Sequence, residues 1–281
     1  PIADLVREAA LRAHADAQMT WDDIDAVVVG KAPDFFEGVM MPELYLADAL
    51  GCVGKPLLRV HTAGSVGGST ALVAASLVQA GIHERVLTVA FEKQSESEAM
   101  WALSLPMPFS PPLVAGAGGF FAPHIRAYMH RSGAPPHIGC LVALKDRQNA
   151  LKNPYAHLHE HDVTFEKIEE SIMLWDPIRY SETCPSSDGA AALVISNEAG
   201  GDANGNAAWI LGTAMRSEPT MFAGRDAVNP LAGQQCADDV FAQAGIKDRR
   251  AEIDDIEMDG PCSWYEPMWL ENLGFAGPGE G

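Results

Sequence analysis

The stretch that decides the fold is Val60-His-Thr-Ala-Gly-Ser-Val-Gly-Gly-Ser-Thr-Ala71, which consists of small, uncharged residues apart from its histidine. A mostly apolar segment, Leu57–Val60, precedes it, and an uncharged helical segment over 69–80 follows it. The next segment, Val86–Phe91, is again apolar, which is typical of a strand buried on both faces. A strand, a glycine-rich turn, a helix and a second strand predict a βαβ unit with a parallel sheet.

The same alternation continues on both sides of this unit. An amphipathic helix is predicted over 2–17 and a buried strand over 25–30. The sheet pattern resumes at 188–195, and a linker rich in Gly and Asn follows at 200–206. Further helices are predicted near 43–50, 118–131, 139–151, 164–172 and 229–244, and a further strand near Ile253–Met258.

Composition excludes several classes of protein. The 281 residues are 47% hydrophobic and 20% charged, as in a globular protein, with a formal net charge of −19. Such an acidic chain lacks the basic footprint of a nucleic-acid binder, and no apolar stretch is long enough to span a bilayer. The five cysteines are odd in number and form no C-x-x-C motif. A disulfide framework is therefore not expected. We expect a reducing, cytoplasmic location instead.

An ordered set of motifs resembles the thiolase superfamily, in the branch with sterol-carrier-protein-type thiolases and the lipid-transfer proteins of steroid degradation. The motifs are Asp23-Ile-Asp-Ala-Val-Val-Val-Gly30, the 60–71 stretch, Ala80–Lys93, Ser187-Asp-Gly-Ala-Ala-Ala192 and Glu271-Asn-Leu-Gly-Phe275. The resemblance implies an α/β fold of two similar halves in a layered αβαβα arrangement, with a loop domain inserted in the first half. It also implies chemistry on acyl-CoA thioesters.

The family pattern divides the chain into three parts. Residues 1–92 and 185–200 form the first half, 93–184 the inserted loop domain that covers substrate and CoA, and 205–281 a partial second half. Against the family the chain is short at both ends, so we expect it to be part of a longer protein whose second half is incomplete here.

The resemblance also locates the catalytic positions. The usual thiolase cysteine, before a helix N-terminus, is matched by Gly64, with Ser65 beside it; the usual histidine is matched by Asp259. A covalent thiolase reaction is therefore not expected, although Ser65 stays open as a nucleophile. Retro-aldol cleavage needs a base and a proton donor, for which Asp259 and Tyr265 are the candidates, with N–H groups of the Gly64–Gly68 turn as oxyanion donors. Alternatively, Asp259 is a turn residue and Tyr265 packs in the core.

A basic stretch in this acidic chain is the candidate CoA site. Residues 121–155 hold five basic residues against one acid, and CoA carries phosphates. The predicted phosphate-binding residues are Arg126, Arg131, Lys145 and Arg147; a solvated helix face is the alternative. Every second residue from 157 to 161 is a histidine: His157, His159 and His161. Such a pattern is able to bind a metal, but a hydrophilic loop is the favoured interpretation. No metal and no cofactor beyond the CoA thioester substrate are expected.

Two functions follow from the sequence. The first is a thiolase-like acyl-CoA enzyme of lipid or steroid side-chain metabolism that makes or breaks a C–C bond next to a thioester, as a retro-aldol lyase or an acyltransferase. The second is a non-catalytic acyl-CoA- or lipid-binding protein or subunit. The resemblance further implies a homodimer formed through the first-half sheet and allows a small acyl-CoA-binding partner subunit.

Overall fold

The computed structural model describes residues 1–31, 36, 38–96, 116–198, 207–219 and 225–281. The chain divides into two compact units. The first consists of Pro1–Ala102 and Ser186–Ile210, and the second of Leu103–Pro185 and Leu211–Gly281. The predicted linker at 200–206 lies outside the described residues.

The regular elements alternate in the first unit and are mainly helical in the second. In chain order, the described strands are β1 (Ala26–Gly30), β2 (Leu57–Val60), β3 (Arg85–Lys93), β4 (Met173–Trp175), β5 (Ile178–Arg179) and β6 (Asp188–Ser196). The described helices are α1 (Ile2–Ala17), α2 (Glu43–Leu46), α3 (Val66–Gln79), α4 (Gly116–Ser132), α5 (Ile138–Ala150), α6 (Phe165–Glu169), α7 (Leu231–Ala244), α8 (Arg249–Glu252) and α9 (Tyr265–Asn272).

The first unit contains a mixed sheet with the strand order β2-β1-β3-β6. β1 pairs in parallel with both neighbours, so that Val28 lies opposite Leu58 on one side and Thr88 on the other. β6 runs antiparallel to β3. The predicted βαβ unit is confirmed: β2 leads through α3 to β3, and β1 lies between the two strands.

Helices cover both faces of this sheet. Val6 and Ala10 of α1 belong to one buried cluster with Val27 and Val29 of β1. On the other face, α3 packs against Val28 and its neighbours, with Ala74 and Val78 buried. All five residues of β1 are buried, which explains why its sequence is continuously apolar rather than alternating.

The close approach of α3 to the sheet depends on a glycine. A Cβ on Gly30 would overlap with the side-chain oxygen of Thr70. That hydroxyl is buried and donates a hydrogen bond of 2.6 Å to the Val66 carbonyl oxygen, so it is held in place by its own helix. Gly30 thereby lets the first turns of α3 lie directly on the end of β1.

The core of the second unit forms where α9 begins. Trp264, Tyr265 and Met268 are buried in one cluster with Ile125 and Tyr128 of α4. Trp264 has no solvent exposure, and its Nε1 donates a hydrogen bond of 3.1 Å to the nearly buried Glu182. The residues that follow the Asp259 turn are thus fixed against the predicted loop domain.

The helices predicted at 118–131 and 139–151 are confirmed as α4 and α5, each within two residues at both ends. The helix predicted at 164–172 is shorter, because α6 ends at Glu169 and the chain enters β4 at Met173. The strand predicted near Ile253–Met258 is wrong. A strand requires a hydrogen-bonded neighbour, and no described strand pairs with this segment.

Candidate functional site

The Gly64 turn lies in the first unit, between β2 and α3. Ala63–Ser65 forms a single 3-10 turn, in which Ala63 has a left-handed φ of 50° that is costly for a residue with a Cβ. Ser65 is the residue directly before α3, at its N-cap. The turn therefore presents Ser65, rather than Gly64, at the start of the helix.

Hydroxyl groups, rather than a base, surround Ser65. Its Oγ donates a hydrogen bond of 2.8 Å to the Thr62 carbonyl oxygen and lies 3.1 Å from Thr62 Oγ1. Thr62 Oγ1 in turn donates to Ser69 Oγ at 2.7 Å. A serine needs a positioned base to become a nucleophile, and these described partners of Ser65 supply none.

The thiols are held in their protonated form. Burial raises the pKa of Cys140 to about 11 and that of Cys262 to about 12. Desolvation also raises the pKa values of Cys52, Cys184 and Cys236. Since the thiolate is the nucleophilic form, none of the five cysteines is activated for attack on a thioester.

Asp259 lies in the second unit, in the exposed turn before α9. Its carbonyl oxygen accepts a hydrogen bond of 3.0 Å from Trp269 Nε1, which fixes the backbone of the turn. After desolvation, the negative charge of Asp259 is the next cause of the raised pKa of the Cys184 thiol. The Asp259 carboxylate is therefore near enough to Cys184 to act on the charge state of its thiol.

Tyr265 lies in the same unit and is buried in its core cluster. It is 3% exposed and packs edge-on against Phe121, with ring centroids 5.4 Å apart. Its ring also contacts Trp269, the residue that holds the Asp259 turn. Burial raises the pKa of the Tyr265 phenol far above its usual value, so the hydroxyl carries its proton.

The partner of the Tyr265 hydroxyl is His124 of α4, whose Nδ1 lies 3.3 Å from it. Burial, followed by the positive charge of Arg225, lowers the pKa of His124, so the ring is neutral at neutral pH. No local motif predicts this pair, because its two residues are separated by 141 positions.

Arg225 adds a positive charge to this cluster. Its charge acts on the pKa values of both His124 and Tyr265. Its Nε is buried and has no hydrogen-bond partner among the described residues. A buried N–H of a guanidinium group without a partner is an available donor for an anion or a carbonyl oxygen.

A cavity of about 260 Å³ also lies within the second unit. It borders the Asp259 turn through Gly260, and the hydroxyl of the nearly buried Ser263 has no hydrogen-bond partner among the described residues. Apolar, hydroxyl, thiol and charged groups all contribute to its wall. The wall is formed by Ala143, Asp146, Arg147, Ala150, His157, Leu158, Ser181, Glu182, Thr183, Cys184, Pro185, Gly260, Cys262 and Ser263.

Each predicted CoA-binding cation has a carboxylate partner. Arg126 pairs with Asp176, Arg131 with Asp226 and Lys145 with Glu266. Arg147 lies 2.8 Å from Glu160 and donates a hydrogen bond of 2.9 Å to the Ser181 carbonyl oxygen. Of the four, Arg147 is the one that lines the cavity. Their role in binding CoA stays a prediction, and phosphates would have to compete with these acids.

The alternating histidines form part of a loop. His157 lines the cavity, and the His159 ring nitrogen Nε2 lies 2.8 Å from the Asn153 carbonyl oxygen. Within the described ranges, no group of three His, Cys, Asp or Glu side chains is placed to hold a metal ion. The described helices also include none that is long and apolar enough to cross a membrane.

Comparison with known proteins identifies relatives of the whole chain. No family model matches. The chain is similar to sterol carrier protein 2 from Bos taurus, with 24% identity over 305 residues that cover 99% of this chain and 54% of that protein. It is similar to an acetyl-CoA acetyltransferase from Methanothermobacter thermautotrophicus, with 27% identity over 293 residues that cover 99% of this chain and 73% of that protein.

A solved structure, an Ltp2-ChsH2(DUF35) aldolase, matches with a TM-score of 0.82 and 27% identity, covering 99% of this chain and 73% of that chain. The chain spans about half the length of the sterol carrier protein 2 that it matches. These similarities extend over nearly all of the chain and agree with the ordered motifs. The chain is thus similar over nearly its whole length to proteins of the thiolase superfamily, including its lipid-transfer and aldolase-like branch.

Proposed function

We propose that this protein acts on acyl-CoA thioesters and cleaves, or in reverse forms, the C–C bond next to the thioester by retro-aldol chemistry. The observation that carries the proposal is the buried Tyr265 hydroxyl with its polar partner His124; the Tyr265 ring contacts Trp269, which holds the Asp259 turn. Similarity to an aldolase supports the same reaction type. Similarity to a sterol carrier protein supports a sterol-derived or related lipid acyl group.

The proposed reaction balances one proton lost and one gained. Asp259 takes the proton from a hydroxyl on the β-carbon; the bond between the α- and β-carbons breaks, and its electron pair moves to the thioester as an enolate. Tyr265 donates its proton to the α-carbon of that enolate. The products are a carbonyl compound and a shortened acyl-CoA, and the enolate is the species that needs stabilisation.

The state of the thiols supports this chemistry over covalent thiolase chemistry. An acyl-enzyme requires a thiolate, whereas burial raises the pKa of each cysteine in this chain. A proton-transfer route needs no nucleophile. It uses Asp259 and Tyr265, two residues of the second unit that each contact Trp269.

We place the thioester end of the substrate in the 260 Å³ cavity, which borders the Asp259 turn. The mixture of apolar groups with hydroxyl and guanidinium donors suits an amide-bearing chain such as the pantetheine arm of CoA. Arg147 is then the member of the basic set placed to meet it, and Arg126, Arg131 and Lys145 are proposed to meet the phosphates.

The proposed assembly is a homodimer in a reducing, cytoplasmic setting. The edge strand β2, the helix α2 and the segment before it expose apolar residues that a second copy would cover: Met40, Met41, Leu44, Tyr45 and Leu58. A small partner subunit is proposed as well, because the matched aldolase is named as a complex of two components.

A non-catalytic acyl-CoA-binding protein is the alternative. The observation that favours it is the set of hydrogen bonds around Ser65, in which hydroxyl and carbonyl groups occupy the place of a base. Under this alternative the cavity binds a thioester that is not turned over.

Turnover separates the two proposals. The full-length protein, with any co-expressed partner subunit, is incubated with panels of 3-hydroxyacyl-CoA and 3-ketoacyl-CoA thioesters, including sterol side-chain derivatives. Cleavage of 3-hydroxyacyl-CoA supports the retro-aldol proposal, and the Tyr265→Phe variant should lose about 10²–10⁴-fold in kcat. Tyr180→Phe, at an exposed tyrosine of the same unit, is the matched control. Binding without turnover of any substrate supports the alternative.

A further inference from the structure

The pairing of Tyr265 with His124 carries a further inference, which rests on the proposed function. We propose that His124 is a positioning residue that orients the Tyr265 hydroxyl and returns a proton to it after each turnover. Tyr265 is 3% exposed, so water has little direct access to its hydroxyl. His124 is half-buried and is the described side chain that hydrogen-bonds to that hydroxyl.

Aromatic packing fixes both partners. The His124 ring lies edge-on to Phe120, with centroids 4.6 Å apart, and Tyr265 is held between Phe121 and Trp269. Rings packed in this way lose little further rotational freedom when the hydrogen bond forms, so the bond is preorganised. The geometry thus favours a stable donor–acceptor pair over a chance contact.

The charges around the pair define its resting state. Arg225 acts electrostatically on both rings, and Cys262 acts electrostatically on the Tyr265 phenol. In the proposed resting state, the Tyr265 hydroxyl donates its proton to Nδ1 of the neutral His124 ring. The single N–H proton of that ring is then on Nε2.

The proposed relay conserves protons. When Tyr265 donates its proton to the substrate enolate, a phenolate forms in a desolvated site, where Arg225 offsets its charge. His124 takes up a proton from solvent at Nδ1, because its Nε2 already carries one, and passes that proton to the phenolate oxygen. The phenol and the neutral ring are then restored, while the proton taken from the substrate hydroxyl leaves from Asp259 to solvent.

A spectroscopic test does not depend on turnover. The ¹⁵N chemical shifts of His124 are measured in the full chain and in the Tyr265→Phe variant. We expect the wild-type ring to be the Nε2–H tautomer, with an Nδ1 shift that moves when the hydroxyl is removed. Unchanged Nδ1 and Nε2 shifts in Tyr265→Phe would overturn the pairing, whatever the enzyme assays show.

A kinetic test separates this role from simple packing. His124→Gln should lower kcat by roughly ten- to a hundred-fold with little change in KM, and added imidazole should restore part of the rate to His124→Ala. The double variant with Tyr265→Phe should be no slower than Tyr265→Phe alone. The control is His130→Gln, at an exposed position of α4.

The two proposals fail in different ways. If the wild-type protein turns over no thioester, the proposed function fails, and the ¹⁵N shifts still decide whether the pair exists. If the wild-type protein is active and His124→Gln keeps its full rate and its pH profile, the function stands and the relay is wrong.

Discussion

Lys31 and Glu92 form an ion pair of 2.8 Å at the ends of two adjacent parallel strands, β1 and β3, and the Lys31 side chain has no solvent exposure. The Lys31 ammonium also lies 5.3 Å from the centre of the Phe91 ring. Glu92→Gln leaves a buried charge without its carboxylate. We expect the free energy of unfolding in urea to fall by about 3–5 kcal/mol.

A double substitution tests the reason for that loss. Lys31→Met combined with Glu92→Leu should recover most of the stability, because it removes both charges instead of one. Glu8→Gln breaks the exposed pair with Arg12 and should leave the urea midpoint nearly unchanged. A loss of similar size in Glu8→Gln would contradict the argument from burial.

Gly30 is expected to tolerate no side chain. In Gly30→Ala the new Cβ meets the Thr70 hydroxyl, and moving α3 to relieve the overlap should cost about 1–3 kcal/mol of unfolding free energy. Adding Thr70→Ala should recover part of this loss. Gly189→Ala on β6 is the control, since a Cβ there meets no atom within 4 Å. Thermal unfolding of the three variants gives the comparison.

His14 should make the stability depend on pH. Burial lowers the pKa of His14 below its usual 6.5, while the charge of Asp23 opposes this and that of Lys55 adds to it. The unfolded chain therefore binds a proton more readily than the folded one. The stabilisation that neutral His14 contributes is fully present above about pH 6.5. It is lost as the pH falls towards the lower pKa of His14 in the folded chain.

His14→Phe keeps a ring against Trp21 and removes the titration. We expect the variant to lose less unfolding free energy than the wild type between pH 7.5 and pH 5. His83→Phe serves as a control, because this histidine lies outside the α1 core. Equal pH slopes for His14→Phe and wild type would exclude a contribution from His14.

Cys184 should be protected by substrate but dispensable for turnover. It is exposed and lines the cavity, so alkylation at pH 8.5 should slow when acyl-CoA is bound. Cys184→Ala should keep kcat within about three-fold, since a protonated thiol is a poor nucleophile. Loss of turnover in Cys184→Ala, with normal acyl-CoA affinity, would point to covalent chemistry instead.

Arg147 should contribute more to CoA affinity than a surface cation. Arg147→Gln removes a guanidinium from the cavity wall, and we expect the Kd for CoA to rise about ten-fold, corresponding to 1.4 kcal/mol. Arg126→Gln tests a predicted phosphate-binding residue that does not line the cavity. Arg250→Gln, at an exposed site of the same unit, should leave the Kd unchanged. Isothermal titration with CoA distinguishes the three.

Local patterns predicted the elements but not the contacts between them. The continuous apolar run of β1 and the periodicity of α4 are properties of adjacent residues, and both elements form as expected. Ile253–Met258 has a strand-like sequence, yet its state depends on a neighbour that is not among the described strands. Sequence alone does not specify that neighbour.

The candidate site shows the same limit. The resemblance predicted Asp259, and Tyr265 was predicted because it follows six positions later, but the partner of Tyr265 lies 141 positions away on another helix. Likewise, the basic residues of 121–155 are close together in sequence, while the acids that pair with Arg131 and Lys145 come from far along the chain. The net charge of residues 121–155 counts only residues within that range, so it leaves out the acids that pair with these cations from elsewhere in the chain.

The protonated thiols have a consequence for the behaviour of the protein under oxidative stress. Peroxide oxidises thiolates much faster than thiols, and the pKa of each cysteine in this chain is raised. A thiolase that depends on a cysteine at the start of its central helix loses activity when that sulfur is oxidised. The resemblance predicts Gly64, with Ser65 beside it, at that position, so we expect this chain to withstand peroxide concentrations that inactivate such an enzyme.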